Sequence, residues 1–355
     1  MRITRLCLAH VPVSLMILTL FFCSCGKKTN IPPVGTPPDT TGANMYTVAT
    51  LAGDGLFGVS DGAGTSARFN TPHGVATDAA GNVYVADSYN NSIRKITPAG
   101  AVTTLAGGTL GKADGDGKAA QFNYPYALTL DALGNIYVAD CFNNLVRKVT
   151  PTGTVTTIAG DGVAGFKDGV GKSAEFNAPS GIAMDADGNL YICDNNNERI
   201  RKITPQGLVK TFDYVFNGPQ GIVLDADKNI YVVSTGNNVV YKIAPAGTVT
   251  IVAGDPQGGF ANGPAASALF FYPEGLAMDA AGNLYVGDLG NNKIRKITAS
   301  GMVSTVAGTT KGYKDGQIPN AEFYAPSGVA MDASGNIYVA DVGNHSIRKI
   351  KHQDN

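Results

Sequence analysis

The fold is decided by residues 72–107, PHGVATDAAGNVYVADSYNNSIRKITPAGAVTTLAG, because related copies of this stretch recur along the chain. Successive copies start 53, 54, 40, 54 and 53 residues apart, at Pro72, Pro125, Pro179, Pro219, Pro273 and Pro326. Self-similarity at a nearly fixed period is typical of a repeat architecture. The sequence therefore predicts six copies of one unit, with a short connection between the third and fourth copies.

Each copy divides into four short segments rich in β-forming residues. In the first copy these segments are residues 74–77, 83–86, 92–97 and 101–105. The intervening residues 78–82 (DAAGN) and 98–100 (PAG) contain Asp, Pro, Gly and Asn, which favour tight turns between antiparallel strands. Strands this short, with apolar residues on both faces, must stack against like neighbours. Four-stranded units repeated in sequence indicate the blades of a β-propeller.

The two ends of the chain predict how the ring closes. The sixth copy ends near Ile350, after its third segment, and residues 46–53 (YTVATLAG) match the fourth segment of an earlier copy, residues 153–160 (GTVTTIAG). Pairing the two ends would remove the sheet edges that an open array exposes. We expect an all-β, six-bladed β-propeller of four-stranded antiparallel blades, closed by an N-terminal strand that completes the last blade. A linear stack of repeats is the alternative.

The recurring pattern P-x-G-h-x-x-D-x-x-G-N-h-Y-V-x-D-x-x-N-x-x-I-R-K-h, where h is apolar, resembles the NHL repeat of six-bladed propellers. The resemblance extends over about residues 45–350. It implies the propeller fold. It does not imply a single activity, because the family includes binding modules, adhesion domains and an amidating lyase.

The N-terminus has the features of an export signal. Two basic residues precede the apolar run 11–22, and a small, sulfur-containing stretch and then lysines follow it. This order is typical of a secretory signal, and the Cys resembles that of a bacterial lipobox. We expect a lipoprotein-type signal at residues 1–24, lipidation at Cys25 with Cys23 as the alternative, a Pro-rich spacer at 25–44, the propeller at 45–351 and a polar tail at 352–355. A plain secretory signal is the other alternative. The protein is then exported and lipid-anchored at a bacterial cell envelope.

Composition limits the possible partners. The formal net charge is −1 and charged residues make up 15% of the chain, whereas nucleic-acid binding normally needs a strongly basic face. No nucleic-acid partner is therefore expected. Only Cys141 and Cys193 lie in the repeats, at non-equivalent positions, so two unlinked thiols are expected and a disulfide is the alternative.

Some positions repeat so regularly that they indicate scaffold. Asp87 and Arg94 recur in every copy except the fourth, which has Ser234 and Tyr241, so we expect Asp and Arg to be partners. The Asn of the turn that follows Asp87, Asn90, is expected to have a structural role, because Asn tolerates left-handed backbone and can hydrogen-bond to the main chain. A Phe before each long-connection Pro is expected to wedge between blades. These Phe residues are Phe69, Phe122, Phe176, Phe270 and Phe323.

Other positions differ from copy to copy and are candidates for binding. The residue after each Pro is expected to ring the mouth of a central channel. These residues are His73, Tyr126, Ser180, Gln220, Glu274 and Ser327. The neighbouring turn between the second and third strands also varies, at Tyr89, Phe142, Asn195 and Leu289. Binding residues concentrate on loops held by a rigid scaffold, and these loops share one face of a propeller.

The sequence favours a monomeric, non-catalytic module that binds a protein or a glycan through this face, with no cofactor and no metal. The alternative is an enzyme of the lactonase, hydrolase or lyase type with a divalent ion in the channel. Only His73 and His345 lie inside the repeats, so three convergent imidazoles cannot be assembled from histidines there. Glu274 and Gln220 are the channel residues that could contribute ligands to such an ion.

Overall fold

The computed structural model describes residues 46–352, which form six antiparallel sheets. Their innermost strands contact one another in sequence order and the last contacts the first, so the sheets are the blades of a closed six-bladed propeller. The predicted signal, Cys25 and the spacer lie outside the described residues. In the part of the chain that the structure describes, no helix is long and apolar enough to cross a membrane.

The strands are numbered in chain order. They are given blade by blade, starting from the outer edge of each sheet. Blade one has β2 Gly62–Ala63, β6 Ala101–Gly107, β5 Ser92–Ile96, β4 Val83–Asp87 and β3 Pro72–Thr77. Blade two has β7 Gly115–Asp116, β11 Thr154–Ala159, β10 Leu145–Val149, β9 Ile136–Asp140 and β8 Pro125–Leu130. Blade three has β12 Gly169–Val170, β16 Leu208–Thr211, β15 Arg199–Ile203, β14 Leu190–Asp194 and β13 Pro179–Met184.

Blade four has four strands, β20 Val249–Gly254, β19 Val239–Ile243, β18 Ile230–Ser234 and β17 Pro219–Leu224. Blade five has β21 Gly263–Pro264, β25 Met302–Ala307, β24 Lys293–Ile297, β23 Leu284–Asp288 and β22 Pro273–Met278. Blade six has β26 Gly316–Gln317, β1 Tyr46–Ala52, β29 Ser346–His352, β28 Ile337–Asp341 and β27 Pro326–Met331. Within residues 46–352, the remaining regular structure is short 3-10 helices.

The predicted ring closure is confirmed. Strand β1 pairs antiparallel with β29, with Val48 opposite Ile350, and so supplies the fourth strand of blade six. The pairing continues to Tyr46 and His352, so the last strand extends one residue into the predicted polar tail. The two ends of the chain therefore lie side by side and hydrogen-bond as neighbouring strands.

Five blades have one strand more than predicted. The extra strand is two residues long and comes from the connection that leads into the blade, as in blade one, where Gly62 pairs with Val102 of the outer strand β6. Among the described residues, only blade four has four strands, because the connection that precedes it is the short one. The long connections therefore cover the outer edges of the blades.

The predicted Asp–Arg partnership is confirmed, and it has a third member. In blade one, Arg94 donates to Asp87 over 2.7 Å and to Asp61 of the preceding connection over 2.7 Å. Arg94 and Asp87 are fully buried. Equivalent buried pairs are Arg147–Asp140, Arg201–Asp194, Arg295–Asp288 and Arg348–Asp341. Each arginine therefore joins two strands of its blade to the connection outside them.

The predicted phenylalanine wedges are also confirmed. Phe122 is fully buried between Ala86 and Ile93 of blade one and Ile136 of blade two. The other four predicted residues are buried to the same extent, and Phe216 fills the equivalent place in the short connection. A large apolar ring at every blade interface is the main source of the hydrophobic packing between blades.

The turn between strands two and three contains one turn of helix. It is a 3-10 helix in every blade, at Ser88–Asn90, Cys141–Asn143, Asn195–Asn197, Thr235–Asn237, Leu289–Asn291 and Val342–Asn344. Asn90 lies inside this helix and donates to Asp87 over 2.8 Å and to the Gly58 carbonyl over 2.7 Å. The left-handed residue is the next one, Asn91, with φ 51°. The structural role predicted for Asn90 is therefore confirmed through its side chain, whereas the left-handed backbone belongs to Asn91.

The left-handed residue joins neighbouring blades. The Asn91 side chain accepts a hydrogen bond of 3.0 Å from the backbone of Tyr124 in blade two. At the closure of the ring, His345 accepts one of 3.1 Å from the backbone of Thr71. Three further 3-10 helices, Gly64–Ser66, Gly117–Ala119 and Gly171–Ser173, lie in the connections. Cys141 and Cys193 are buried free thiols, as expected.

Candidate functional site at the channel mouth

Five of the six predicted residues that follow the prolines line one central cavity, and the sixth, Ser180, is buried next to the lining residue Gly181. We call all six the channel cluster: His73, Tyr126, Ser180, Gln220, Glu274 and Ser327. The cavity has a volume of about 70 Å³. A buried water needs on the order of 10–15 Å³, so the cavity has room for a few waters. The cluster therefore forms the floor of the channel mouth, where the sequence predicted an open rim.

Glycines let the innermost strands approach one another closely. A Cβ on Gly181 would lie 1.9 Å from the Gln220 carbonyl oxygen, and one on Gly328 would lie 2.1 Å from the His73 carbonyl oxygen. Such distances leave no room for a side chain, so the backbones of neighbouring blades touch at this level. Blade two has Ala127 at the equivalent position. The narrowness of the channel is therefore a consequence of the Pro-x-Gly pattern.

Tyr126 reaches across the channel. Its phenolic oxygen donates to Glu274 of blade five over 3.0 Å and also contacts the side-chain oxygen of Gln220 in blade four. Burial raises the pKa of Glu274, although hydrogen bonds from Ser327 and Tyr126 oppose the shift. Burial, and then the charge of Glu274, raise the pKa of Tyr126 well above its usual value. The phenol is therefore a neutral donor that links blades on opposite sides of the ring.

His73 is held in one tautomer by its neighbours. Its Nδ1 lies 3.0 Å from the Thr71 carbonyl oxygen, which can only accept, so Nδ1 carries the proton. Its Nε2 is then the acceptor for the Tyr124 hydroxyl at 3.4 Å. Burial lowers the pKa of His73 to about 4. At neutral pH the imidazole is therefore uncharged, and it packs 4.6 Å from the Tyr126 ring.

The remaining polar groups of the floor are already engaged. The Ser180 hydroxyl donates to the Pro219 carbonyl of the next blade over 2.9 Å. Within residues 46–352, no group of three His, Cys, Asp or Glu side chains is placed to hold a metal ion. The carboxylate of Glu274 and the amide of Gln220 both bind Tyr126. Glu274 is the only carboxylate of the channel cluster, which is a poor match to the several charged oxygen ligands of a typical calcium site.

The four predicted turn residues occupy two different positions. Tyr89 and Phe142 are second in their 3-10 helices, whereas Asn195 and Leu289 are first. The four residues are therefore not equivalent, because Asn195 and Leu289 lie one residue earlier in their turns than Tyr89 and Phe142 do. The true counterparts of Tyr89 and Phe142 are Asn196, Gly236, Gly290 and Gly343.

An aromatic cluster connects the floor to the loop-bearing face, which carries the strand-two-to-three turns and the connections. Phe142 is 41% exposed and stacks on Tyr124 with ring centroids 4.8 Å apart, and Tyr89 is 38% exposed and meets Tyr124 edge-on at 5.2 Å. Tyr124 also packs against His73 and Tyr126. Tyr124 was not predicted from the sequence as a site residue. The feature that could have identified it is an aromatic residue immediately before a repeat proline.

Comparison with known proteins identifies the repeat. The family model described as NHL repeat matches residues 69–96, 176–203 and 323–350. Each matched segment begins at a wedge phenylalanine and includes strands one and two and most or all of strand three. The chain is also 28% identical over 322 residues to Protein SUPPRESSOR OF QUENCHING 1, chloroplastic, of Arabidopsis thaliana. That match covers 85% of this chain and 27% of the plant protein, so the chain spans about a quarter of this relative's length.

Solved structures show the same fold at low sequence identity. An auxiliary nutrient binding protein of Bacteroides thetaiotaomicron superposes with a TM-score of 0.70 at 17% identity, over 88% of this chain and 77% of the other. A gluconolactonase of Xanthomonas campestris superposes with a TM-score of 0.63 at 14% identity, over 93% and 99% of the two chains. A binding protein and an enzyme therefore share this architecture.

Proposed function

Taking the chain as a six-bladed propeller built from NHL repeats, we propose that it is an exported, lipid-anchored module that binds a protein or a glycan without catalysing a reaction. Its ligand contacts the loop-bearing face. One observation carries the proposal: the residue after the repeat proline changes between otherwise repeated blades, and five of these six residues line one central cavity. A rigid scaffold that presents such a surface loses little conformational entropy on binding.

The closed channel floor supports contact from the outside. The Tyr126 hydroxyl contacts the side-chain oxygens of both Gln220 and Glu274. The cavity between these side chains has room for waters only. A sugar or a peptide therefore lies over the cluster, against the exposed rings of Tyr89 and Phe142. The fold shared with a nutrient binding protein of Bacteroides thetaiotaomicron agrees with a binding role and with a place at the cell envelope.

Photo-crosslinking in living cells tests which face is used. A photoreactive amino acid replaces Phe142 on the loop-bearing face or Leu133, which is 81% exposed in the turn between strands one and two on the opposite face. We expect a specific adduct from position 142 and none from position 133. Equal adducts at the two positions, or adducts from position 133 alone, contradict the proposal.

Lipidation is tested separately. Metabolic labelling with an alkyne fatty acid should label the wild-type chain and the Cys23→Ser variant. It should not label Cys25→Ser, which should be released from the membrane fraction. Label that persists in Cys25→Ser and is lost in Cys23→Ser would move the anchor to the other cysteine, and the absence of label from all three chains would leave a plain secretory signal.

A propeller enzyme is the second candidate. The fold shared with a gluconolactonase, and a buried carboxyl with a raised pKa beside a phenol in the channel, favour it. Turnover in a lactonase and lyase screen that is lost in Glu274→Gln would support this candidate. Because the channel cluster offers only one carboxylate to a divalent ion, we expect no stoichiometric metal in the purified protein.

A further inference from the structure

Two positions on the loop-bearing face share one small space in every blade. The residue two before each proline packs against the second residue of the 3-10 turn, as in blade six, where a Cβ on Gly343 would lie 2.3 Å from Tyr324. In blade five, a Cβ on Gly290 would lie 2.5 Å from Phe271. The turn is glycine where the preceding residue is aromatic, since there is room for only one large group.

Blades one and two reverse this arrangement. There the residue two before the proline is an asparagine, Asn70 or Asn123, and the turn supplies the ring, Tyr89 or Phe142. Blades five, six, one and two are consecutive around the closed ring. Their rings form what we call the aromatic arc: Phe271, Tyr324, Tyr89 and Phe142. All four are at least partly exposed to solvent.

Blades three and four carry no ring at either position. In blade three, Asn196 donates to Asn177 over 3.2 Å. In blade four the second turn residue is Gly236, and Asn217 donates to Asn237, the third turn residue, over 3.1 Å. In each of these two blades, the amide groups are hydrogen-bonded to each other. The arc therefore covers four of the six blades, and the equivalent positions of blades three and four carry amides or glycine in place of rings.

The asparagines beside the exposed rings have unused hydrogen-bonding groups. Within residues 46–352, the side chain of Asn123 has no hydrogen-bond partner, whereas its counterpart Asn177 binds Asn196. The Asn70 side chain accepts from the Thr71 hydroxyl over 3.3 Å, and its NH2 group donates to none of the described residues. A half-exposed ring and an open amide thus lie next to each other in two neighbouring blades.

We propose that the aromatic arc binds a neutral oligosaccharide. Its pyranose rings stack on Tyr89 and Phe142, and its hydroxyl groups hydrogen-bond to the amides of Asn70 and Asn123. One face of Phe142 is covered by Tyr124, so the opposite face is available. Phe and Tyr rings match the apolar C–H faces of sugars, and an amide both donates to and accepts from hydroxyls.

The absence of charge selects the ligand class. The two rings and the two amides that make up this subsite carry no formal charge, so the site complements a hydroxyl-rich, uncharged chain better than an anionic one. On blade six of the arc, the Lys311 ammonium lies 3.7 Å from the Tyr324 ring centroid. This inference rests on the proposed function, because it identifies what the loop-bearing face contacts.

Titration calorimetry with the purified full chain tests the inference. The probes are cello-, malto-, xylo- and manno-hexaose, with oligogalacturonate as the anionic comparison. The test variant is Tyr89→Asn/Phe142→Asn, which places in blades one and two the residue that blade three naturally has, Asn196, so the turn remains foldable. We expect at least one neutral hexaose to bind, and the double variant to bind it at least tenfold more weakly with an unchanged melting temperature.

The matched control is Asn196→Ala, at the same turn position outside the arc, which should change affinity less than twofold. Failure of every neutral hexaose to bind, preference for oligogalacturonate, or undiminished binding by the double variant would overturn the inference. A protein cross-linked at position 142 together with no binding of any saccharide would overturn the inference and leave the proposed function standing. Adducts from position 133 alone would remove both.

Discussion

Blade four and the other five blades solve the same packing problem with different chemistry. Five blades bury an arginine between an aspartate of strand two and the connection, whereas blade four has Tyr241 and Ser234 at the two strand positions. The Tyr241 ring packs edge-on against Phe216 with ring centroids 5.5 Å apart. The Ser234 hydroxyl donates to the Asn217 carbonyl over 2.7 Å. Blade four thus replaces buried charges with an aromatic contact and one neutral hydrogen bond.

The difference shows that the buried charges serve the long connection. Arg94 donates to the Ser60 carbonyl over 3.0 Å and to Asp61, both in the connection that enters blade one. Burial is unfavourable for the strand-two carboxylate and raises the pKa of Asp87 to about 6, in spite of the adjacent guanidinium. Buried ion pairs are often replaced by apolar groups without loss of stability. The short connection of blade four needs no such anchor, and there the charges are absent.

Removing one arginine should have the largest effect. Arg147→Ala leaves Asp140 buried without its cation and frees the connection of blade two, so we expect a loss of about 4 kcal/mol in the free energy of unfolding. Urea denaturation of the full chain measures it. Tyr241→Phe, at the equivalent position of blade four, should cost about 0.5 kcal/mol. Similar losses for the two variants would break the comparison.

The wedge phenylalanines should not distinguish the blades. Phe122→Ala in a long connection and Phe216→Ala in the short one each empty a fully buried site, so both should lose about 3–4 kcal/mol. Phe166→Ala is the control, because that ring is 53% exposed and lies 5.1 Å from the Arg201 guanidinium; it should cost about 1 kcal/mol. A much smaller loss for Phe216→Ala would show that the short connection is held by other contacts.

The residue after the proline gives a pH-dependent contrast. His73→Gln places in blade one the residue that blade four has, Gln220. Because burial lowers the pKa of His73 from 6.5 to about 4, the unfolded chain binds the proton first and stability falls as pH drops from 6.5 towards 4. Between pH 7.5 and 4.5 the wild type should lose about 2.5 kcal/mol more than the variant.

Stability curves in urea at the two pH values measure this difference, and His345, whose pKa burial also lowers, is present in both chains. A wild type and a variant that lose the same amount of stability on acidification would show that His73 is protonated in the folded protein without cost.

The exposed member of the ion cluster should have the smallest effect. Asp114→Asn copies blade five, where Asn262 binds the arginine, and the Asp114 side chain is 39% exposed. We expect a loss of about 0.5 kcal/mol, since ion pairs with solvent-exposed groups contribute little. Asp140→Asn, at the buried end of the same arginine, should cost several times more in the same denaturation experiment. Equal losses would mean that both carboxylates are equally desolvated.

Much of the fold could be predicted because internal repeats act as a set of aligned sequences. The loss of Asp and Arg from the same copy predicted their contact, and the constant Phe predicted the wedge. Turn details could not be predicted in this way. Whether Asn90 or Asn91 takes the left-handed backbone, and whether Tyr89 aligns with Asn195 or Asn196, depends on a one-residue register that adjacent asparagines leave ambiguous.

The candidate site shows the same division. Five of its six residues line the cavity, and they could be predicted because each follows a repeat proline and closure of the ring must bring such positions together. The link from Tyr126 across the channel to Glu274 could not be predicted, because it joins residues 148 positions apart in blades two and five. The exposed pairing of Tyr89 with Phe142 likewise depends on Tyr124, which packs between them.

The amino-acid sequence by itself determined the number of blades, the closure of the ring and the positions that vary, because these follow from a repeat and its period. Only the tertiary structure decided that the channel floor is closed and that the exposed rings form an arc over four blades. Strand pairing within a blade is local and follows the repeat pattern. Contacts across the channel and between turns of different blades depend on the size and reach of single side chains, which no repeat specifies.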